Sequence, residues 1–297
     1  MSMRFQHKAE YALTAFFARF FRMLPAEAAT ALGMSLGGLG YKLLGIRKRV
    51  MLENLKRVFP ERSEEDLQKI ALKSYCHWGG MTAEFARLPR MDAGYIEKYV
   101  EFTGEDVLFE AEKIGRGGLV ISGHLGNWEI MGCAATQRGH KVTYVVATQS
   151  NRLVDEMMDR YRRAQGIELW KMGKAPRGVF KSLKDNRFVA LMIDQDAGKD
   201  CVFVDFFGKK AATHRGPAVF HLKTGAPLIL SSCIRVKGVH YKIAFERVEL
   251  EIPEGSIEER TTYIMRELNK LLEAQIRKYP EQYFWMHKRW KTRPAKK

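Results

Sequence analysis

The sequence predicts an α/β fold in which a mixed central sheet is flanked by helices, with a helical region at its N-terminus. Three patterns predict it. The first ninety residues carry apolar side chains at helical spacing; from about Val100 short runs rich in β-branched residues alternate with helical stretches; and a late pair of strands precedes one long helix. Such alternation gives a largely parallel sheet, and two consecutive strands late in the chain add antiparallel pairing.

Taken in order, helices are expected over Arg4–Met23, Ala26–Leu44, Arg47–Val58 ahead of Pro60, and Glu64–Leu88, for which Ser63 with Asp66 offers an N-cap. Strands are expected at Leu119–Ser122, Val142–Val146, Phe188–Ile193 and Pro227–Ile234, and helical stretches at 104–114, 127–138, 151–165, 177–185 and 214–224. A pair of strands near 239–250 and a helix over Ser256–Lys278 complete the pattern, with no repeat, low-complexity tract or linker. At 297 residues the chain can bury a full core as one catalytic unit, 46–297, preceded by apolar and amphipathic helices over 1–45.

Lys and Arg total 50 against 34 Asp and Glu, and the formal net charge of +16 implies an acidic partner. Nucleic acid is set aside as that partner. The basic residues gather at Arg47–Arg49 and in the last ten residues rather than along one groove, and no recognition motif is present. The four cysteines, Cys76, Cys133, Cys201 and Cys233, form neither a CxxC pair nor a zinc-like spacing, and read as small buried hydrophobes in a reducing compartment. The apolar opening lacks an A-x-A-like cleavage site after a charged start, so no signal peptide is recognisable. Its longest uncharged run, Ala28–Tyr41, is shorter than the roughly 18 residues that a spanning helix needs. Ahead of that run Leu13, Phe16, Phe17, Phe20, Phe21 and Leu24 share one helical face, with Arg19 and Arg22 on the other. The pattern suits a helix lying in a membrane interface, and equally one packed on the protein's own core.

The most informative stretch is Gly118-Leu-Val-Ile-Ser-Gly-His-Leu-Gly-Asn-Trp-Glu-Ile-Met-Gly132, an apolar strand running into a glycine-flanked loop and then a helix. His124 stands at the strand's carboxyl end, where reactive groups collect in α/β sheets, and Gly123 and Gly126 let a substrate approach the backbone. Glu129 follows five residues later, where its carboxylate could reach back to the imidazole. A carboxylate on one ring nitrogen fixes the tautomer and raises the basicity of the other, which a general base for a hydroxyl needs. The pair brings no nucleophile of its own, so it suits direct attack by an acceptor hydroxyl on an acyl donor. Taken alone, this spacing fits a structural histidine near a helix start at least as well.

Further blocks stand beside it. His124-Leu-Gly-Asn-Trp-Glu129 resembles the HxxxxD/E signature of glycerolipid acyltransferases, in the form found in bacterial lipid A lauroyl and myristoyl acyltransferases. Asn54-Leu-Lys-Arg-Val-Phe-Pro60, Asp194-Gln-Asp196, Val202-Phe-Val-Asp-Phe-Phe-Gly208, Ala212-Thr-His-Arg-Gly-Pro217 with Thr224-Gly-Ala-Pro227, and Pro280-Glu-Gln-Tyr-Phe-Trp-Met-His-Lys-Arg-Trp-Lys-Thr-Arg-Pro294 resemble that family's blocks in order and spacing. The resemblance covers essentially the whole chain. It implies a glycerolipid-acyltransferase-like fold and transfer of a fatty acyl group, usually from acyl carrier protein or else from acyl-coenzyme A. The acceptor it implies is a hydroxyl of a lipid A precursor in lipopolysaccharide biosynthesis, with a phosphatidylinositol mannoside or another glycolipid as the alternative. It also implies the cytoplasmic face of the inner membrane, with peripheral or single-anchor attachment to an anionic bilayer.

By the same resemblance His124 is the general base and Glu129 its orienting partner. Asn127, Arg162, Arg163, Asp194 and Gln195 form the substrate-binding set. Asn127 and Trp128 shape the loop, Arg162 faces the oxyanion or a substrate phosphate, and Asp194 either holds that arginine or forms a turn. Phe206, Phe207 and Gly208 line an acyl groove or belong to the core, and Thr213 and His214 cap the following helix. No cofactor is implied. Asp194 and Asp196 around Gln195 resemble a metal site, but no third hard ligand lies close in sequence, and no metal is expected. Six basic residues near the end, Lys288, Arg289, Lys291, Arg293, Lys296 and Lys297, are expected to steer an acidic carrier protein or to meet lipid phosphates.

Overall fold

The helices expected in the first ninety residues form and pack on one another in the computed structural model, which describes residues 3–294. They are α1 (Met3–Met23), α2 (Ala26–Leu43), α3 (Lys48–Val58) and α4 (Glu64–Arg87), and Ser63 caps α4 by accepting from the Asp66 amide. A short α5 (Ala93–Tyr99), not expected, leads into β1 (Val100–Thr103). Then come α6 (Asp106–Ile114), β2 (Gly118–Ser122), α7 (Trp128–Gln137), β3 (Val142–Val146), α8 (Arg152–Ala164), β4 (Glu168–Lys171), α9 (Ala175–Lys184) and β5 (Phe188–Met192). A hairpin of β6 (Cys201–Phe206) and β7 (Lys209–His214) precedes α10 (Gly216–Thr224), β8 (Leu228–Lys237), β9 (His240–Val248) and α11 (Ile257–Lys278).

Seven strands form one sheet in the order β1-β9-β8-β2-β5-β3-β4, every pairing parallel except β8 with β9. The mixed α/β sheet expected from the alternation is therefore present. β2 lies at its centre, buried on both faces. Leu119 and Ile121 join the layer built by α9, α10 and α11, while Val120 joins Leu108 of α6 and Ile130 of α7 on the other side. β1 and β4 were missed because each is a four-residue edge strand carrying charged residues, without the apolar run that marks a central strand. The β6–β7 turn is closed by Phe207 at φ 51° and Gly208 at φ 71°, the left-handed pair of a tight hairpin, in a block read only as a motif.

α2 meets α4 through glycines. A Cβ on Gly37 would lie 2.1 Å from the Tyr75 carbonyl oxygen, and one on Gly79 2.1 Å from that of Gly33, so the two backbones touch directly. α1 packs Ala18 and Phe21 inward, leaving Leu13, Phe16, Phe17 and Phe20 exposed. The Phe-rich face is thus divided, one part packed on the protein's own core and the other exposed. The expected inner-membrane placement, peripheral or single-anchor, is corrected in that no spanning anchor is present among the described residues. Among the described residues no helix is long and apolar enough to cross a membrane, because charges interrupt α1 and bracket the apolar part of α2.

Gly37→Val or Gly79→Val is expected to cost about 3 kcal/mol or more, since neither backbone can yield to a new side chain. Gly40→Ala faces open space and is expected to be neutral or to stabilise by about 0.5–1 kcal/mol. Urea unfolding midpoints check both, and wild-type midpoints for the two valine variants would refute the close packing.

Candidate active site

β2 and β5 are parallel neighbours with Ser122 opposite Met192, so the residues that follow them leave the sheet side by side. That register brings His124 and Asp194 together across seventy residues of sequence. One carboxylate oxygen of Asp194 accepts from the His124 amide at 2.9 Å, and the other accepts from Nδ1 of the same residue at 2.8 Å. Asp194 is 2% exposed. Burial alone would raise its carboxyl, but the attraction of the His124 ring when that ring is protonated, the two hydrogen bonds from His124, and Arg289 beyond outweigh that and hold it down to about 2. An ionised Asp194 makes Nδ1 the protonated nitrogen and leaves the lone pair on Nε2. Nε2 faces the Gln195 amide nitrogen at 3.3 Å, and the imidazole keeps 21% of its surface open. Trp128 meets the imidazole edge-on at 4.8 Å, and Phe284 and Trp78 continue this aromatic wall.

Glu129 does not reach His124. It lies in the first turn of α7 and binds Arg162 of α8, accepting from Nε at 3.0 Å and from Nη2 at 2.6 Å, with the Trp128 indole N–H at 3.2 Å. Asp194 holds the place on the imidazole expected of Glu129, and Glu129 holds Arg162, for which Asp194 was one of two expected roles. Arg162 also lies over the Phe85 ring. Asn127 caps α7 by accepting from the Ile130 amide and donates to Glu84, and at 1% exposure its side chain is turned behind the loop. The structure does not bring Arg163 to His124: its side chain is 62% exposed beside Asp159.

The segment after α11 completes the site, a contribution the sequence reading noted as a motif without placing it. The Phe284 amide donates to the His124 carbonyl, and the Gly126 amide to the Gln282 carbonyl. His287 Nε2 accepts from the Asp196 amide, while Asp196 accepts from both the amide and the hydroxyl of Thr292. Asp194 and Asp196 are thus turned to different partners. Arg289, counted among the steering charges, is 2% exposed and donates to the Gln195 and Ala212 carbonyls and the Thr213 hydroxyl; it braces the loop after β5. Lys288, Lys291 and Arg293 are exposed, and Lys296 and Lys297 lie outside the described residues. Phe206 and Phe207 are core residues rather than walls of a groove, and α10 has no side-chain cap from Thr213 or His214.

Residues 1–292 match the family model described as bacterial lipid A biosynthesis acyltransferase. The chain is 26% identical over 282 residues to the lipid A biosynthesis palmitoleoyltransferase of Escherichia coli (strain K12), covering 92% of this chain and 88% of that protein. Its identity to the phosphatidylinositol mannoside acyltransferase of Mycolicibacterium smegmatis is 29% over 284 residues, with the same coverage of 92% and 88%. To the Escherichia coli lipid A biosynthesis lauroyltransferase it is 27% over 276 residues, or 91% and 88%.

A carboxyl held below its usual value stabilises the fold above its unfolded pKa, and that contribution is lost as pH falls through the folded value. For Asp194 the window runs from 3.8 down to about 2. Asp194→Asn is expected to lower stability by about 2 kcal/mol at pH 7, with the gap narrowing at pH 3. Urea midpoints at the two pH values check this; a gap equally wide at pH 3 would reject the ionised pair.

Proposed function

The chain belongs to the bacterial lipid A biosynthesis acyltransferase family, and on that premise we propose that it moves a fatty acyl group from the thioester of acyl carrier protein to a hydroxyl of a lipid A precursor in lipopolysaccharide biosynthesis. Membership makes it an O-acyltransferase acting on lipid or glycolipid acceptors. The single observation that carries the mechanism is the open Nε2 edge of His124, backed at Nδ1 by a buried carboxylate.

In this reading Nε2 takes the proton of the acceptor hydroxyl as its oxygen attacks the thioester carbonyl. Asp194 stabilises the imidazolium that forms. When the tetrahedral intermediate collapses, the C–S bond breaks and the imidazolium returns its proton to the departing thiolate. Gln195, already at hydrogen-bond range of Nε2, marks where the hydroxyl sits. Arg162, oriented by Glu129, faces the developing oxyanion or a phosphate of the acceptor. Glu129 thereby acts through Arg162 rather than through His124, and the partly exposed Trp78, Trp128 and Phe284 offer apolar surface to the acyl chain. Acyl transfer to a phosphatidylinositol mannoside is the second reading, favoured by the likeness to the mycobacterial enzyme over the same length of chain.

Residues 1–45 meet lipid through the exposed Leu13, Phe16, Phe17 and Phe20 side of α1. Lys288, Lys291 and Arg293 are left to steer the carrier once Arg289 is withdrawn.

The test is acyl transfer by purified enzyme to a lipid A precursor and to a phosphatidylinositol mannoside, from carrier-bound and coenzyme A-bound donors. His124→Ala is expected to lower kcat by about 10³-fold or more, and Asp194→Asn by about 10²-fold or more. A near-normal rate in folded His124→Ala would overturn the assignment. Phe16→Asp with Phe17→Asp is expected to weaken binding to anionic vesicles by at least about 10-fold, since each ring forfeits about 1.5–3 kcal/mol of apolar burial; unchanged sedimentation would move the lipid contact elsewhere.

A further inference from the structure

Behind the His124 loop lies a buried polar cluster that the acyl-transfer chemistry does not use. Arg235 of β8 is paired through both terminal nitrogens with Glu84 of α4, at 2.6 and 2.8 Å. Glu84 also accepts from Thr30, from Tyr241 at 2.6 Å and from Asn127 at 2.9 Å. Nε of Arg235 points at Nδ1 of His77, 3.4 Å away, while Nε2 of His77 donates to the Gly126 carbonyl at 3.1 Å. Burial, then the neighbouring Arg235 charge, pushes His77 down to about 3, so its ring is neutral, with one nitrogen accepting and the other donating. The Arg235 backbone makes a third connection. Its amide and carbonyl pair with the Gln282 side chain, and the Gln282 carbonyl receives the Gly126 amide.

Arg235 therefore reaches two consecutive residues of the catalytic loop by three separate paths: through Glu84 to Asn127, through His77 to Gly126, and through Gln282 to Gly126. The room for this is built in. A Cβ at Gly80 would lie 3.3 Å from Arg235 Nη2, and one at Gly126 would lie 1.9 Å from the Cys233 carbonyl. Gly126 has φ +64°, a conformation that glycine adopts without strain. The Asn127 amide, one residue on, is bound to that same Cys233 carbonyl at 2.8 Å.

We propose that Arg235, Glu84 and His77 are positioning residues for acyl transfer, setting the backbone at Gly126 and Asn127 and through it the placement of the His124 imidazole. The proposal rests on the reading of His124 as the base. None of the three touches substrate. Their contribution is to the rate of the chemical step, because small displacements of a reacting group are costly: a misplacement of about 1 Å can cost about 100-fold. A cluster serving only to hold the fold would instead lower stability and leave each folded molecule as active as before.

The decisive variants are His77→Leu, which removes both ring contacts without stranding a charge, His77→Gln, which restores an N–H toward Gly126, and Arg235→Lys, which keeps the charge and loses the fork. Hydrogen exchange over residues 123–128 is read first, since it needs no substrate. Amide protection there is expected to fall at least about 10-fold in His77→Leu, while α4 and β8 keep wild-type protection, and to recover in His77→Gln. In the transfer assay kcat is expected to fall about 10- to 100-fold in His77→Leu and Arg235→Lys, with KM within about threefold of wild type. If Arg235→Lys does not fold, the His77 pair decides. Wild-type loop protection in His77→Leu, or a wild-type kcat per folded molecule, would overturn the proposal. Absence of acyl transfer by the wild-type enzyme would instead count against the functional reading and leave the exchange result standing.

Discussion

Asp194 takes two hydrogen bonds from a single residue, one from the amide of His124 and one from its ring. A carboxylate gripped at both oxygens by one residue fixes backbone and side chain together, so the imidazole has neither a second tautomer nor a second orientation available. The arrangement needs an ionised carboxylate in a dry place, which is unfavourable until its partners compensate it. Here they do, and much of the surrounding architecture follows from keeping them in place. β2 and β5 must be neighbours in register, the loop after β5 must be braced by Arg289, and the loop after β2 must be held from behind, at Asn127 by Glu84 and at Gly126 by the Gln282 carbonyl.

The sequence made some of this plain and hid the rest for definable reasons. His124 was legible because β2 is buried on both faces and ends in a glycine-flanked loop. Its partner was not, since Asp194 arrives from a strand whose position beside β2 depends on sheet order, which the hydrophobic pattern does not encode. Glu129 looked like the partner because it lies in the same block. Asn127 starts α7 so that Glu129 falls in the first turn and meets α8 instead. The helices were read to within a few residues because their apolar spacing is long and regular, while β1 and β4 carry no comparable signal. Arg289 shows a different limit. A guanidinium has the same formal charge in solvent as under a layer of side chains, so composition counted it as a surface cation although it is bound to two carbonyls and a hydroxyl.

Two kinds of packing divide the molecule. Around the sheet, large apolar side chains interdigitate between strands and helices. Between α2 and α4 the contact is made by the absence of side chains, with carbonyls seated where a Cβ would otherwise stand. The close approach lets Thr30 of α2 hydrogen-bond Glu84 of α4, which in turn binds the site loop. The N-terminal helices are therefore joined to the loop after β2 by a polar contact as well as by shape. Their remaining apolar residues, Leu36, Leu39 and Leu43 on α2 and Phe16 and Phe17 on α1, face away from it.

The segment from Gln282 to Thr292 gives the molecule a particular order of assembly. It follows every strand and every α-helix among the described residues, yet supplies hydrogen-bond partners to His124, Gly126 and Asp196 and buries Arg289 beneath the β6–β7 hairpin. During synthesis all the residues of the His124–Asp194 pair are already made while the segment that seats their loops is still absent. Ribosomes add about 5–20 residues per second, so the nascent chain passes through an interval in which its sheet can form but the loop that carries His124 is not yet held from this side.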